Sequence, residues 1–397
     1  MKLSKIIPIV RSHYPKLLGI RRTLQTIKVQ RITRYTLPND QVSICEQDHS
    51  KIAEIIKPYM EKYESYLSPI IEEANYLIER APKYSGLEDQ EKKRIKEDML
   101  FCRLAYGFIP SEYTGFAFEN RVPEERKKFV SDLDISVFGY TVNDIVEIQK
   151  ILDKAKMVRK FSNYLKRDVL LISSTDDWTA FERFVSNHPI FVKKKTFSCK
   201  GKGVELVDLS KADETANGYF DRIIKEGTWL LEECVIQSAE MAAFNSSSVN
   251  TIRVRTFKTR NGVDLRYCNL RTGRNGSFVD NGGSGGLLIG VNEKTGIVNT
   301  DGYDEFGEAY EEHPDSHVRF RGYQIPDWEE LRKICIQGAE ENPDMGYLSW
   351  DMAHTDDGWK VIEVNEVGQF VGAQLISGRG LKKELEAYKK AMKKFIW

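Results

Sequence analysis

With 397 residues, the chain is long enough for two or three lobes around a large core. Its 59 Lys and Arg residues balance 59 Asp and Glu, which excludes a nucleic-acid binder driven by overall charge. No apolar run is long enough for a membrane-spanning helix, and Ile6-Ile7-Pro8-Ile9-Val10 is too short for a signal-peptide core.

The charge is unevenly spread. Met1 to Asn39 contains no acid but carries Lys2, Lys5, Arg11, Lys16, Arg21, Arg22, Lys28, Arg31 and Arg34. Such a block suits peripheral contact with an anionic membrane surface or a polyanionic glycan. It also suits a solvated arm, since Pro8 and Pro15 break its apolar periodicity. The cysteines at 45, 102, 199, 234, 268 and 335 form no CxxC pair, so reduced thiols in a cytoplasm are expected.

Further along, Ser50 to Arg80 and Glu88 to Tyr106 have helical periodicity, with Pro58, Pro69 and Pro82 breaking or bounding turns. Residues 1–110 therefore read as a mostly helical N-terminal region. Phe101 to Phe118 is dense in aromatics and reads as core or a groove wall. Thr141 is placed to cap a helix running through Ile148 and Lys154 to Leu165. A strand (Val169 to Ser173), a helix (Asp176 to Asn187) and strands at Ile190 to Lys195 and Val204 to Asp208 follow, the pattern of an α/β lobe. Further strands are expected at Trp229 to Glu233, Asn250 to Lys258, Asp264 to Arg271 and Leu287 to Val291. The expected divisions are 1–110, then 111–230 as a first lobe, then 231–397 as a second lobe ending in a helix.

Several segments suit nucleotide chemistry. Phe191-Val192-Lys193 runs into a basic, glycine-bearing tip with Lys200, Gly201 and Gly203, where backbone amides and lysines can meet phosphate oxygens; an ordinary turn has the same composition. The chain has no GxxxxGK[ST] loop and no GxGxxG after a strand. Trp229 to Val235 is a buried strand ending in Glu232-Glu233, and Cys234 and Val235 could present backbone groups to a base. Asn250-Thr251-Ile252-Arg253-Val254-Arg255 puts Thr251, Arg253 and Arg255 on one strand face, where an arginine fork can clamp a phosphoryl group.

Two apolar strands then flank His354 to Gly358, and the second carries Glu363-Val364-Asn365. A three-residue loop of Asp356, Asp357 and left-handed Gly358 sets Asp351 opposite Glu363. Asn365 falls on the same face. Two carboxylates about 5 Å apart repel unless a cation lies between them, and this oxygen set suits Mg²⁺.

Taken in order, these motifs resemble the ATP-grasp superfamily over roughly Asp153 to Asn365. Within it the chain is most similar to the sugar-transfer-associated proteins of bacterial surface-polysaccharide clusters. That closer likeness rests on Asn250 to Arg253, on Leu270-Arg271 with Val279 to Gly286, and on Trp350-Asp351. Lys194 stands where many members carry proline. The resemblance implies an α+β ATP-grasp fold, two lobes clasping the nucleotide behind a helical N-terminal region. It implies an ATP- and Mg²⁺-dependent ligase that joins a small carboxylic acid or amino acid to an amine-bearing sugar or glycan precursor through an acyl phosphate. It would place Lys154 and Lys193 on phosphates, the backbone from Glu233 to Val235 at adenine and a hinge acid at ribose. Arg253 and Arg271 would face the transferring group and acyl phosphate, with Asn250 beside the nucleotide and Asp351, Glu363 and Asn365 on the metal. A kinase-like phosphotransferase and a non-catalytic nucleotide-binding protein are the alternative readings.

Overall fold

The computed structural model describes residues 19–196, 203–211, 214–278, 280 and 285–394. Lys200, Gly201 and most of the Val279 to Gly286 loop lie outside them. Helices follow one another as far as Leu165, past the expected limit near residue 110. Pro58 and Pro69 sit inside the helices Ile52–Lys62 and Glu64–Arg80 rather than breaking them. Helix Asp89–Tyr106 ends at Gly107, whose φ of 82° gives the left-handed cap that a glycine adopts without strain. The aromatic stretch from Phe101 to Phe118 is core: Phe108, Phe116, Phe118 and Phe129 pack together with Tyr113.

The single helix expected from Thr141 to Leu165 is divided among four, the last being Ser162–Leu165. Thr141 lies inside helix Asp132–Val142, its hydroxyl donating to the carbonyl of Val137 at 2.7 Å. Asp144 and Asp153 then start the helices Ile145–Leu152 and Lys154–Lys160 by accepting from backbone N–H groups. Apolar periodicity cannot register such breaks, because short helices in series keep an apolar face toward one core.

The first sheet comprises β1 (Val169–Ile172), β2 (Ile190–Lys195), β3 (Val204–Asp208) and β4 (Trp229–Glu233), all antiparallel and ordered β1-β4-β2-β3. Ile172, Phe191, Trp229 and Leu231 face the helices Trp178–Asn187 and Ala216–Glu226, burying their rings and branches against Phe181, Phe184, Tyr219 and Ile223. Each such side chain contributes about 1.5–3 kcal/mol when fully covered. The opposite face carries Ile190, Val192 and Leu206, and Leu206 is 57% exposed.

The second sheet comprises β5 (Thr251–Thr259), β6 (Gly262–Thr272), β7 (Leu287–Val291), β8 (Val298–Tyr303), β9 (Ala309–Tyr310), β10 (Tyr347–Thr355) and β11 (Gly358–Asn365). Their order is β11-β10-β5-β6-β7-β8-β9. One face buries Ile252, Val254, Leu270, Leu348, Trp350 and Val364 against helix Trp328–Glu340. That helix comes so close that a Cβ on Gly338 would lie 2.5 Å from the Trp350 ring. Ile148, Met157, Phe161 and Leu165, which precede the first sheet in sequence, belong to this same core. Among the described residues, no helix is long and apolar enough to cross a membrane.

Candidate active site between the two sheets

The hairpin β10–β11 places Asp351 opposite Glu363 by a route different from the expected one. Its tip closes with Thr355 opposite Gly358, leaving Asp356 and Asp357 as a two-residue turn, and Gly358 has φ 93°. Near the tip the register is therefore one residue short. It is restored between Asp351 and Met352, where Ile362 is left without a partner opposite. The side chain of Arg167 holds that bulge, donating to the carbonyls of Val361 and Ile362, the latter at 2.9 Å.

The neighbouring strand supplies charge. Arg253 pairs opposite Asp351 across β5–β10, and its Nε and Nη2 fork onto the two carboxylate oxygens at 2.7 and 2.6 Å. Arg271 Nη2 lies 3.4 Å from the same carboxylate and 3.2 Å from Asp280. Lys154 Nζ reaches Glu363 Oε1 at 3.0 Å from the helix that opens after Asp153. The expected repulsion between the two carboxylates is thus offset, because each faces its own cation. Burial pushes the Asp351 carboxyl up, but Arg253 and Arg271 outweigh it and hold the group below the usual carboxylate range.

One step along the sheet, Arg255, Ser349 and Asn365 form a second row across three strands. Arg255 Nε, Ser349 Oγ and Asn365 Nδ2 are each buried without a hydrogen-bond partner. Turning the Asn365 amide over presents its oxygen in place of the orphaned nitrogen. With Asp351 and Glu363 this gives the all-oxygen donor set a hard divalent cation takes, so these residues fit Mg²⁺.

In the first sheet, strand alternation divides the residues expected at the nucleotide. Lys193 shares the face of Phe191, which the helices cover; it is 2% exposed, with Nζ 3.0 Å from Glu205, 3.6 Å from Glu226 and 4.1 Å above the Trp229 ring. Its side chain therefore points away from the second sheet, which corrects its placement on phosphate. Lys194, on the open face, is turned toward the second sheet and reaches Glu232 at 3.0 Å. Glu232 is itself buried, accepting from Arg167 Nε and Nη2 at 3.0 and 2.8 Å, so its carboxylate is committed to holding the lobes together rather than to ribose. Glu233 is half-buried and bonded to the backbone of Asp168, and beyond it the chain at Cys234 and Val235 leaves the strand. Asn250 is also corrected: its amide is buried and donates to the carbonyls of Met241 and Asn245 at 2.7 and 2.8 Å, shaping the loop before β5. Replacing Lys194 by Met is expected to raise the ATP concentration for half-maximal turnover about tenfold, the worth of one charge-assisted hydrogen bond. The Lys193→Met variant should leave it unchanged, and steady-state titration of both variants checks the assignment.

Residues 140–390 match the family described as sugar-transfer associated ATP-grasp. The chain belongs to this family. Its fold is accordingly ATP-grasp, with the two sheets as the two lobes. No curated protein matches it in sequence. Among solved structures it is similar to D-alanine-D-alanine ligase from Helicobacter pylori at 12% identity, covering 66% of each chain with a TM-score of 0.40. It is similar also to N5-carboxyaminoimidazole synthetase from Staphylococcus aureus complexed with ADP, at 11% identity over 70% of this chain and 63% of that one, TM-score 0.41. The chain thus spans about two thirds of the length of these structures.

Two features of this ATP-grasp site were not expected from sequence. Arg167 ties the first lobe to the β10–β11 hairpin through partners 65 and 195 residues away, which no local pattern reports. Glu366 follows the Glu363-Val364-Asn365 motif directly; burial first, and then the charge of Glu363, push its carboxyl up to about 7.

Proposed function

We propose that this ATP-grasp protein is an ATP- and Mg²⁺-dependent carboxylate–amine ligase that joins an amino acid or another small acid to an amine-bearing sugar or glycan precursor. The observation that carries this reading is the convergence of Arg253, Arg271 and Lys154 on Asp351 and Glu363, on a sheet face turned toward the open face of the first lobe. Val192 and Leu206 on that open face offer an apolar bed for a base, and Lys194 adds a cation beside it.

Asp351, Glu363 and Asn365 would hold Mg²⁺, which when bound draws phosphate oxygens together and offsets their charge. Arg253 and Arg271 keep full charge and a planar fork, so they can hold a transferring phosphoryl group and the acid that receives it. In the overall reaction a carboxylate oxygen takes the terminal phosphoryl group and ADP leaves. An amine then attacks the acyl carbon, phosphate departs, and the amine loses a proton. Cations and metal ligands suffice for this chemistry, and none of the residues assigned here is a nucleophile.

The test is ADP release on incubation with pooled amino acids and amino sugars, followed by mass determination of the product. A product equal to acid plus amine less one water, with free phosphate, supports ligation. A stable phosphorylated sugar overturns it in favour of phosphotransfer, and no ADP release above background overturns both.

A further inference from the structure

Residues 19–33 form a helix whose sides differ sharply. One side is anchored: Gln25 is fully buried and donates to the carbonyls of Tyr140 and Asn143 at 2.8 and 2.6 Å, Arg21 pairs with Asp144 at 3.2 Å, and Val29 and Ile32 pack on the second-lobe core. The other side exposes an apolar stripe at helical spacing: Ile20 at 58%, Leu24 at 49% and Ile27 at 41%. A helix fixed this firmly has no need of exposed branched side chains for its own folding.

The stripe opens onto a groove of ≈ 460 Å³ floored by Leu24, Ile27, Ile145 and Val146, with Lys28 and Arg31 at its rim. The charge around it is one-sided. No acid occurs before Asp40 in the sequence. The only acid on the facing helix Ile145–Leu152 is Glu147, which Lys150 and Lys160 each neutralise at 2.7 Å. An apolar floor rimmed by cations complements an amphiphile with an anionic head, the arrangement of a helix lying in a bilayer interface.

We infer that this face docks on an anionic lipid bilayer, with Ile20, Leu24 and Ile27 entering the acyl boundary and Lys28 and Arg31 meeting lipid phosphates. The placement suits the site beside it: helix Ile145–Leu152, which forms one wall of the groove, leads directly to Lys154 and through it to Glu363. Docking therefore sets the metal hairpin one helix away from the membrane surface.

The test is co-sedimentation of the full chain with phosphatidylcholine vesicles, with and without phosphatidylglycerol, at low and high salt. The wild type should pellet with the anionic vesicles and be released by salt. The Leu24→Ser, Ile27→Ser double variant should lose more than about tenfold in partitioning, given about 0.8 kcal/mol per buried methylene. The Arg31→Gln variant should lose about fivefold, the worth of one cation near an anionic surface. All three substitutions are at exposed positions, so melting temperature and ADP release with soluble substrates should hold. Equal pelleting with neutral and anionic vesicles, or undiminished binding by the double variant, would overturn the inference. So would self-association that the double variant abolishes in the absence of vesicle binding, which would make a second copy the occupant.

Discussion

Replacing Glu363 by Gln is expected to cut turnover at least about a hundredfold, comparable to losing a group that stabilises charge in the transition state, while leaving the fold intact. The substitution keeps shape and removes one charge. Glu363 is partly exposed and its bond to Lys154 is a single contact at 3.0 Å, so the loss of that pair costs at most about 1 kcal/mol. What disappears is the response to ligand. A nucleotide analogue with Mg²⁺ at a hundredfold excess over its dissociation constant stabilises the wild type by about 2.7 kcal/mol, and most of this should vanish in the variant. Asp351→Asn should behave differently. Asp351 is buried under the Arg253 fork, and neutralising it breaks a buried charge pair and leaves a mostly covered guanidinium without its main partner, at a cost of roughly 3–5 kcal/mol. Asp357→Asn, at the exposed tip of the hairpin, should keep both turnover and the ligand response. Thermal melts with and without ligand separate the three. A normal ligand shift in Glu363→Gln together with its loss in Asp357→Asn would refute the ligand assignment.

A stability loss of the same size as that of Asp351→Asn is expected from Arg167→Met. Arg167 joins Glu232 on the first lobe to the carbonyls of Val361 and Ile362 on the second, so its removal leaves a buried carboxylate with Lys194 as its one remaining cation and frees the bulge that sets the Asp351–Glu363 pairing. A loss of roughly 3–5 kcal/mol follows, lowering the melting temperature of a chain of 397 residues by roughly four to six degrees. Adding Glu232→Gln should recover part of it. The pH dependence has a definite sign. Burial works to raise the Glu232 pKa from its ordinary 4.5, yet Lys194 and Arg167 outweigh it and hold the group at about 2. Because the folded value is depressed, the associated stability, about 3 kcal/mol, is present above pH 4.5 and lost as pH falls toward 2. The wild type should therefore lose about 3 kcal/mol more across that window than the double variant, which keeps the other depressed carboxylates such as Asp351 but lacks this one. Equal melting temperatures for Arg167→Met and wild type would dismiss the strut.

The sequence was most legible where the local pattern carries the whole signal. The limits of β2, β3, β4 and β7 follow from runs of branched and aromatic residues between turn formers. The face on which a residue lies was harder to read. In Phe191-Val192-Lys193-Lys194 both parities offer an apolar residue followed by a lysine, and only the helices packing on Phe191 decide that Lys194 faces the second lobe. Strand β8 was missed because Asn299-Thr300-Asp301-Gly302 reads as loop, although its backbone pairs with β7 and β9. The Asp351–Glu363 pairing was reached from a loop one residue too long, the difference being made up by a bulge that depends on Arg167, far away in sequence. Gly358 was read correctly as left-handed because few other residues adopt that conformation without strain.

The packing of Ile148, Met157, Phe161 and Leu165 against Leu348, Trp350 and Val364 bears on how the chain acquires its shape during synthesis. These helices emerge before the first lobe, yet the strands that cover them are made roughly two hundred residues later, some tens of seconds at the pace of translation. Through that interval the first lobe can close on its own short-range contacts, while the helices before it wait with their apolar sides uncovered. The lobe made in the middle is therefore the natural first folding unit. The polar face that gathers Asp351, Glu363 and the arginines is among the last surfaces to form, so a chain stalled before β10 would carry one folded lobe and no β10–β11 hairpin.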